Sequence, residues 1–209
     1  MPLVLHRISI HELFAAEKIS VALLQAKALL PFEPTECIVV CVGSDRSTGD
    51  CLGPLVGTGL LKQPRPGLRV YGTLDEPVHA GNLQAVIEGL SAALPGCGAC
   101  DGEAFEADGD VMAPTKKRIP LIIGVDASLG HSNHVGTVAV GTGPLRPGAG
   151  VQKALPEIGH LFLTGTVNVG GFMDYMVLQN TRLSVVMKMA DTMARGLLLA
   201  LPRLYKYPR

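Results

Sequence analysis

No excess of charge of either sign marks this sequence. Lys and Arg together number 18 against 18 Asp and Glu in 209 residues, so the formal net charge is zero. A neutral chain has no global field to draw in nucleic acid or anionic lipid. Its basic clusters, Lys116-Lys117-Arg118 and Arg203-Leu204-Tyr205-Lys206, are short and read as solvated surface charge. No nucleic-acid partner and no membrane contact are expected. Nowhere is there an apolar run of about 18 residues, the length a bilayer-spanning helix needs. Residues 1–11 lack the basic stretch, apolar core and small-residue cleavage site of a secretory signal. Cysteine is sparse and odd in number, at five. Free thiols in a reducing cytoplasm are the expectation, with Cys37, Cys41 and Cys51 as core thiols.

What is present is apolar residue in quantity, 47% of the chain. With this length it suits one domain over residues 1–209. Residues 9–30 read as an amphipathic helix, ended by Pro31 and Pro34. Cys37-Ile38-Val39-Val40-Cys41-Val42 is a continuous apolar run, the pattern of a strand buried on both faces. A polar turn follows, then a helix over 54–61. A short strand is expected at 68–73 and a helix at 83–94 capped by Asn82. Residues 95–118 hold five acidic residues and four glycines with almost no periodicity, and read as an exposed, mobile loop. Pro120-Leu121-Ile122-Ile123-Gly124-Val125 is a third buried strand, ending at Asp126. Strands at 135–141 and 161–167 and a long helix over 181–201 complete the reading. The apolar stripe of that last helix suits core or an interface, so a homo-oligomer stays open. Alternating strands and helices predict an α/β fold, three layers deep, with a mostly parallel sheet.

In such a sheet ligands bind beyond the carboxyl ends of the strands. Asp50 follows the first buried strand and Asp126 ends the third, so both belong to that edge. Two converging carboxyls do not ionise together readily, which leaves one general acid and one general base. That pair could activate water against an amide; equally, each Asp could cap a helix or brace a loop. Asp75 and Glu76 could add acidic groups to the same edge or simply shape a turn with Pro77. Asp45 and Arg46 could touch substrate, and Asn168, Gly170 and Gly171 could line the cleft. His131 and His134 could join Asp126 in holding zinc, but their Gly, Ser and Asn neighbours read as a turn. Cys97 and Cys100 have CxxC spacing without the second ligand pair a structural zinc requires. They follow a helix end, where a redox pair opens a helix. Plain thiols or a loop disulfide are the expectation. The glycine pairs at 141–143 and 148–150 fit neither the dinucleotide nor the P-loop pattern.

Thr48-Gly49-Asp50-Cys51-Leu52-Gly53-Pro54 resembles a germination-protease motif. Ile122-Ile123-Gly124-Val125-Asp126-Ala127-Ser128-Leu129 resembles that family's second motif, and Pro147-Gly148-Ala149-Gly150-Val151 a third segment. Three longer runs resemble the sporulation protein YyaC family: Gly43 through Asp50, Tyr71-Gly72-Thr73-Leu74-Asp75-Glu76-Pro77-Val78-His79-Ala80, and Asn168-Val169-Gly170-Gly171-Phe172-Met173. The resemblance implies a phosphorylase/hydrolase-like α/β/α fold, shared with hydrogenase maturation proteases. It implies an aspartate-dependent endopeptidase acting on small spore proteins, in the forespore or mother-cell cytoplasm. Asp50 and Asp126 would be catalytic, and Asp45, Arg46, Thr48, Asp75, Glu76, Asn168 and Gly170 would bind substrate. No cofactor or metal is expected. Maturation proteases grip nickel with acidic residues at these two places and a histidine, but no histidine stands in a matching segment here. A non-catalytic sporulation protein that binds a peptide, and a metal-assisted peptidase, are the alternatives.

Overall fold

The computed structural model describes residues 1–93, 119–148 and 155–206. The 95–118 loop, the Cys97/Cys100 pair and residues 149–151 of the third motif lie outside the described residues. The elements run β1 Leu3–Ser9, α1 Ala15–Lys27, β2 Glu36–Cys41, α2 Leu52–Leu61, β3 Leu68–Tyr71, α3 Leu83–Ala93, β4 Pro120–Gly130, β5 Thr137–Thr142, β6 Leu161–Val169, α4 Asp174–Gln179 and α5 Leu183–Leu204. One six-stranded sheet takes the order β1-β5-β6-β4-β2-β3. Its β3, β2, β4 and β6 pair in parallel, and β5 runs antiparallel to both β6 and β1.

The strand period of two divides the core. In β2, Cys37, Val39 and Cys41 face one side and Ile38 and Val40 the other, all fully buried. The first side packs on α1, α2 and α5 through Ile19, Leu23, Leu52, Val56, Met193 and Leu197. The second packs on α3 through Leu83 and Leu90, with Val78, Leu145 and Ile158 from connecting segments. That makes three layers, and it explains the unbroken apolar runs: a strand covered on both faces has no polar face to show. Burial pushes the Cys37 and Cys41 thiols far up, so both are inert core groups. No described helix is long and apolar enough to cross a membrane.

Two boundaries differ from the sequence reading. The helix expected from residue 9 begins at Ala15, behind a strand the sequence conceals. That strand is an outer edge whose centre is His6-Arg7, so neither alternation nor an apolar run announces it. The strand expected to end at Asp126 continues to Gly130.

Helix α2 lies against β2 with almost no gap. A Cβ on Gly53 would stand 2.0 Å from the Val42 carbonyl oxygen. Backbone cannot yield as a side-chain tip can, so only glycine permits this approach. Leu52, Val56 and Leu60 are fully buried on the same helix, each contributing about 1.5–3 kcal/mol. Gly53→Ala should cost roughly 2–3 kcal/mol and lower Tm by roughly 5–10 °C in a thermal melt. Gly89→Ala, in α3 with open space around the new methyl, should leave Tm unchanged or slightly raised.

Candidate active site

The chain passes from β2 outward to β3 and then back to β4 on the other side of β2. A crevice therefore opens between the carboxyl ends of β2 and β4, where the connections diverge. It is a cleft of about 1010 Å³ lined by Asp50 and Asp126 among others.

Asp50 stands in the β2–α2 connection, just before Cys51 at the start of α2. Backbone hydrogen bonds fix that loop at four points. Gly43 N–H donates to Val78 O (2.8 Å), Ser44 N–H to Asp50 O (3.2 Å), Gly49 N–H to Leu178 O (2.9 Å) and Cys51 N–H to Ser47 O (3.0 Å). Gly43 has φ 145° and sits so close to the Asp50 carbonyl that a Cβ would fall 2.0 Å from its oxygen. A side chain there would push Asp50 out of place. Asp126 reaches the same cleft from within β4, opposite Thr164 of β6. Its Oδ1 accepts the Ala127 N–H at 2.8 Å.

The two carboxyls differ in environment. Asp126 is buried, at 7% exposure, and Asp50 is half-buried. Burial pushes Asp126 well above the usual carboxylate range, and the negative charge of Asp50 pushes it further. Backbone N–H groups of Ala127 and Gly148 oppose the rise without cancelling it. Asp50 is also raised, chiefly by burial, with the Ser44 N–H and the charge of the His79 ring pulling it back. Among the described residues no Lys or Arg pairs with either carboxyl. Asp50 is thus the group that ionises first, while Asp126 retains its proton.

Of the other residues singled out in the sequence, Arg46 and Gly170 line the cleft. Asp45 and Thr48 belong to the Asp50 loop without lining it; the Thr48 carbonyl accepts the Cys51 thiol at 2.9 Å. Asp75 and Glu76 are exposed in a turn closed by Thr73, whose Oγ1 accepts the Glu76 N–H at 3.0 Å. Asn168 faces a neighbouring shallow groove and donates to Thr181 Oγ1 at 3.3 Å. His131 lines the cleft, whereas the His134 carbonyl accepts the Thr137 hydroxyl at 2.7 Å. Among the described residues no three His, Cys, Asp or Glu side chains converge to hold a metal ion. Among those residues the donor set for a nickel or zinc site is incomplete.

His79, close to Asp75 and Glu76 in the sequence, also lines the cleft. Its Nδ1 lies 3.1 Å from the Gly81 N–H. Asn82, expected to cap α3, instead holds this histidine: its Oδ1 accepts the His79 N–H at 2.8 Å and its amide donates to Pro77 O at 3.0 Å. This clasp joins the His79 N–H to the Asn82 side chain, while the Asn82 N–H donates to the His79 carbonyl at 3.0 Å. Asp174, Tyr175 and Leu178, from α4 and its start, close another wall.

A family model described as "Protein of unknown function (DUF1256)" matches residues 7–94 and 113–196. "Uncharacterized protein YyaC" of Bacillus subtilis (strain 168) is 48% identical over 160 residues, 77% of this chain and 67% of that protein. A crystal structure of the [NiFe] hydrogenase maturation protease HycI from Thermococcus kodakarensis KOD1 aligns with TM-score 0.47 and 12% identity, over 84% of this chain and 97% of that one.

The raised Asp126 has a consequence for stability. A carboxyl that holds its proton more tightly when folded favours folding fully below its unfolded value. That advantage turns into a loss as pH rises from the ordinary carboxylate range through the raised one. Asp126→Asn mimics the protonated form and keeps an acceptor for Ala127. Its Tm should match wild type below the ordinary carboxylate range and exceed it increasingly as pH rises above that range. Melting curves of the two proteins across this range check the divergence, and parallel curves would remove the buried-acid account.

Proposed function

This chain belongs to the DUF1256 family, and on that premise we propose that it hydrolyses peptide bonds through Asp50 and Asp126. The observation that carries the proposal is the pairing itself. A buried carboxyl without a cation faces a second carboxyl across a cleft large enough for a polypeptide segment. Glu36, also buried, has Arg69 beside it at 3.2 Å. Among the described residues Asp126 has backbone N–H groups and no cation to offset its burial, an arrangement with no structural benefit that a chemical role would explain.

Ionised Asp50 takes a proton from a water molecule as the water oxygen bonds to the scissile carbonyl carbon. Protonated Asp126 donates to the carbonyl oxygen, where negative charge develops, and so favours the tetrahedral state. Collapse breaks the C–N bond as the proton held by Asp50 passes to the leaving nitrogen, and one hydroxyl of the gem-diol carbon gives its proton back to Asp126 as the new carboxyl forms. The products are an acid and an amine, and the aspartates return to their starting forms. His79 favours the ionised state of Asp50. Small acid-soluble spore proteins are the substrates we propose, because the segments around Asp50 and Asp126 resemble germination-protease motifs.

A binding role without catalysis has one observation in its favour. Phe172, Met173, Tyr175 and Met176 are large, apolar and exposed beside the cleft, Phe172 at 81%. Cleavage of a purified small acid-soluble spore protein separates the two readings. Asp50→Asn and Asp126→Asn should each lower kcat/KM by about 100-fold or more. Equal turnover by all three proteins, or none by wild type, ends the peptidase reading. The wild-type pH profile should be a bell. Its acid limb, from Asp50, should lie above the ordinary carboxylate range, and its alkaline limb should report Asp126.

A further inference from the structure

The carboxyl half of β4 has a strand on one side only. Its pairing with β2 ends at Cys41 opposite Val125, while its pairing with β6 continues to Gly130 opposite Val169. Beyond Val125, no described strand flanks β4 on the β2 side. Asp126, Ala127, Ser128, Leu129 and Gly130 all line the cleft. The open edge of the sheet therefore lies inside the candidate active site, and it begins at one of the two aspartates.

Backbone direction along this edge is fixed at both ends. The Val125 carbonyl faces β2, since it accepts the Val42 N–H at 2.7 Å. The Gly130 carbonyl faces β6, since it accepts the Gly170 N–H at 2.9 Å. Main-chain groups alternate sides along a strand, so Ala127 and Leu129 present theirs to the cleft. The Ala127 N–H is held by Asp126 Oδ1. That leaves the Ala127 carbonyl and the Leu129 N–H and carbonyl for a ligand. Donors and acceptors in this spacing match the backbone of an extended chain and no rigid small molecule in particular.

We propose that this edge, Ala127 to Leu129, binds a polypeptide as an added strand that occupies the line β2 vacates beyond Val42. The inference rests on the peptidase reading for the use made of the bound chain. It deepens that reading by naming the substrate class: segments with free backbone, such as disordered stretches or termini. Strand pairing recognises main chain, so it tolerates varied sequence while fixing the chain's path. A chain laid on Ala127 passes directly beside Asp126 and Asp50, which places a peptide bond at the pair. Folded proteins, whose backbone is already paired, are excluded.

The test uses the full-length Asp50→Asn protein, so that a bound chain is not cut, with reduced carboxymethylated α-lactalbumin as an unfolded probe. Residue-resolved amide exchange is followed with and without the probe. The Leu129 amide should exchange at least tenfold more slowly with the probe present, while β1 and β3, the outer edges of the sheet, should not change. No binding, or binding that leaves Leu129 unprotected, overturns the strand-addition proposal. Cleavage of the same probe by wild-type protein is scored separately. Protection without cleavage leaves the docking edge standing and removes the peptidase reading, and cleavage without protection does the reverse.

Discussion

A carboxyl group shut away from water beside another carboxyl, with no cation among the described residues to neutralise either, is the constraint on which this structure turns. Placing Asp126 in β4 removes its hydration, and Asp50 adds repulsion. Two backbone N–H groups return part of that loss, and retention of the proton returns the rest. The proton therefore belongs to the fold over a wider pH range than an exposed carboxyl would hold it, since the site would be more costly to assemble with both groups ionised. Any displacement of Asp50 toward solvent would relax the tension and end the inequality between the two groups.

The elements around the pair prevent such a displacement. Gly53 lets α2 close onto β2, and Gly43 lets the loop double back onto the Asp50 carbonyl. Gly49 is tied to Leu178, and the His79 clasp holds a partly compensating ring near Asp50. These are short-range features with one collective effect. The Asp50 side chain has a defined position although it belongs to a connection between elements. The rigid sheet fixes Asp126 independently, through the register of β4 between β2 and β6. Their meeting is therefore set by sheet order, because β2 and β4 are neighbours only when the chain reverses direction across the sheet.

Much of this was legible in the sequence, for identifiable reasons. β2 and the first half of β4 are covered on both faces, and continuous apolar runs announce that burial. The two aspartates follow those runs, and strand-end logic alone assigns them to one edge. β1 was hidden because an outer strand with His6 and Arg7 at its centre shows no periodicity. α4 was missed because six residues are too few for a helical pattern to repeat. The continuation of β4 past Asp126 was missed for a different reason. Ala127, Ser128 and Gly130 have weak strand preference and resemble a turn, yet pairing with β6 keeps them extended. Asp75 and Glu76 looked like companions of the pair because they follow a strand, but β3 is short and its turn carries them to the surface.

The contrast between Glu36 and Asp126 separates the two uses of a buried acid. Glu36 opens β2 at the amino end of the sheet and has Arg69, one strand away, as its counter-charge. That counter-charge offsets part of the burial, although the Glu36 Oε1 atom is buried without a hydrogen-bond partner. Asp126 occupies the opposite edge, where the diverging connections leave a cleft among the described residues. A cation there would neutralise the carboxyl and quench its proton chemistry, whereas an apolar residue would seal the crevice. Leaving the acid uncompensated keeps the cleft open, the proton in place and the adjoining strand edge accessible. These three properties come from one local choice, so a substitution that improves stability at Asp126 should damage the site in proportion.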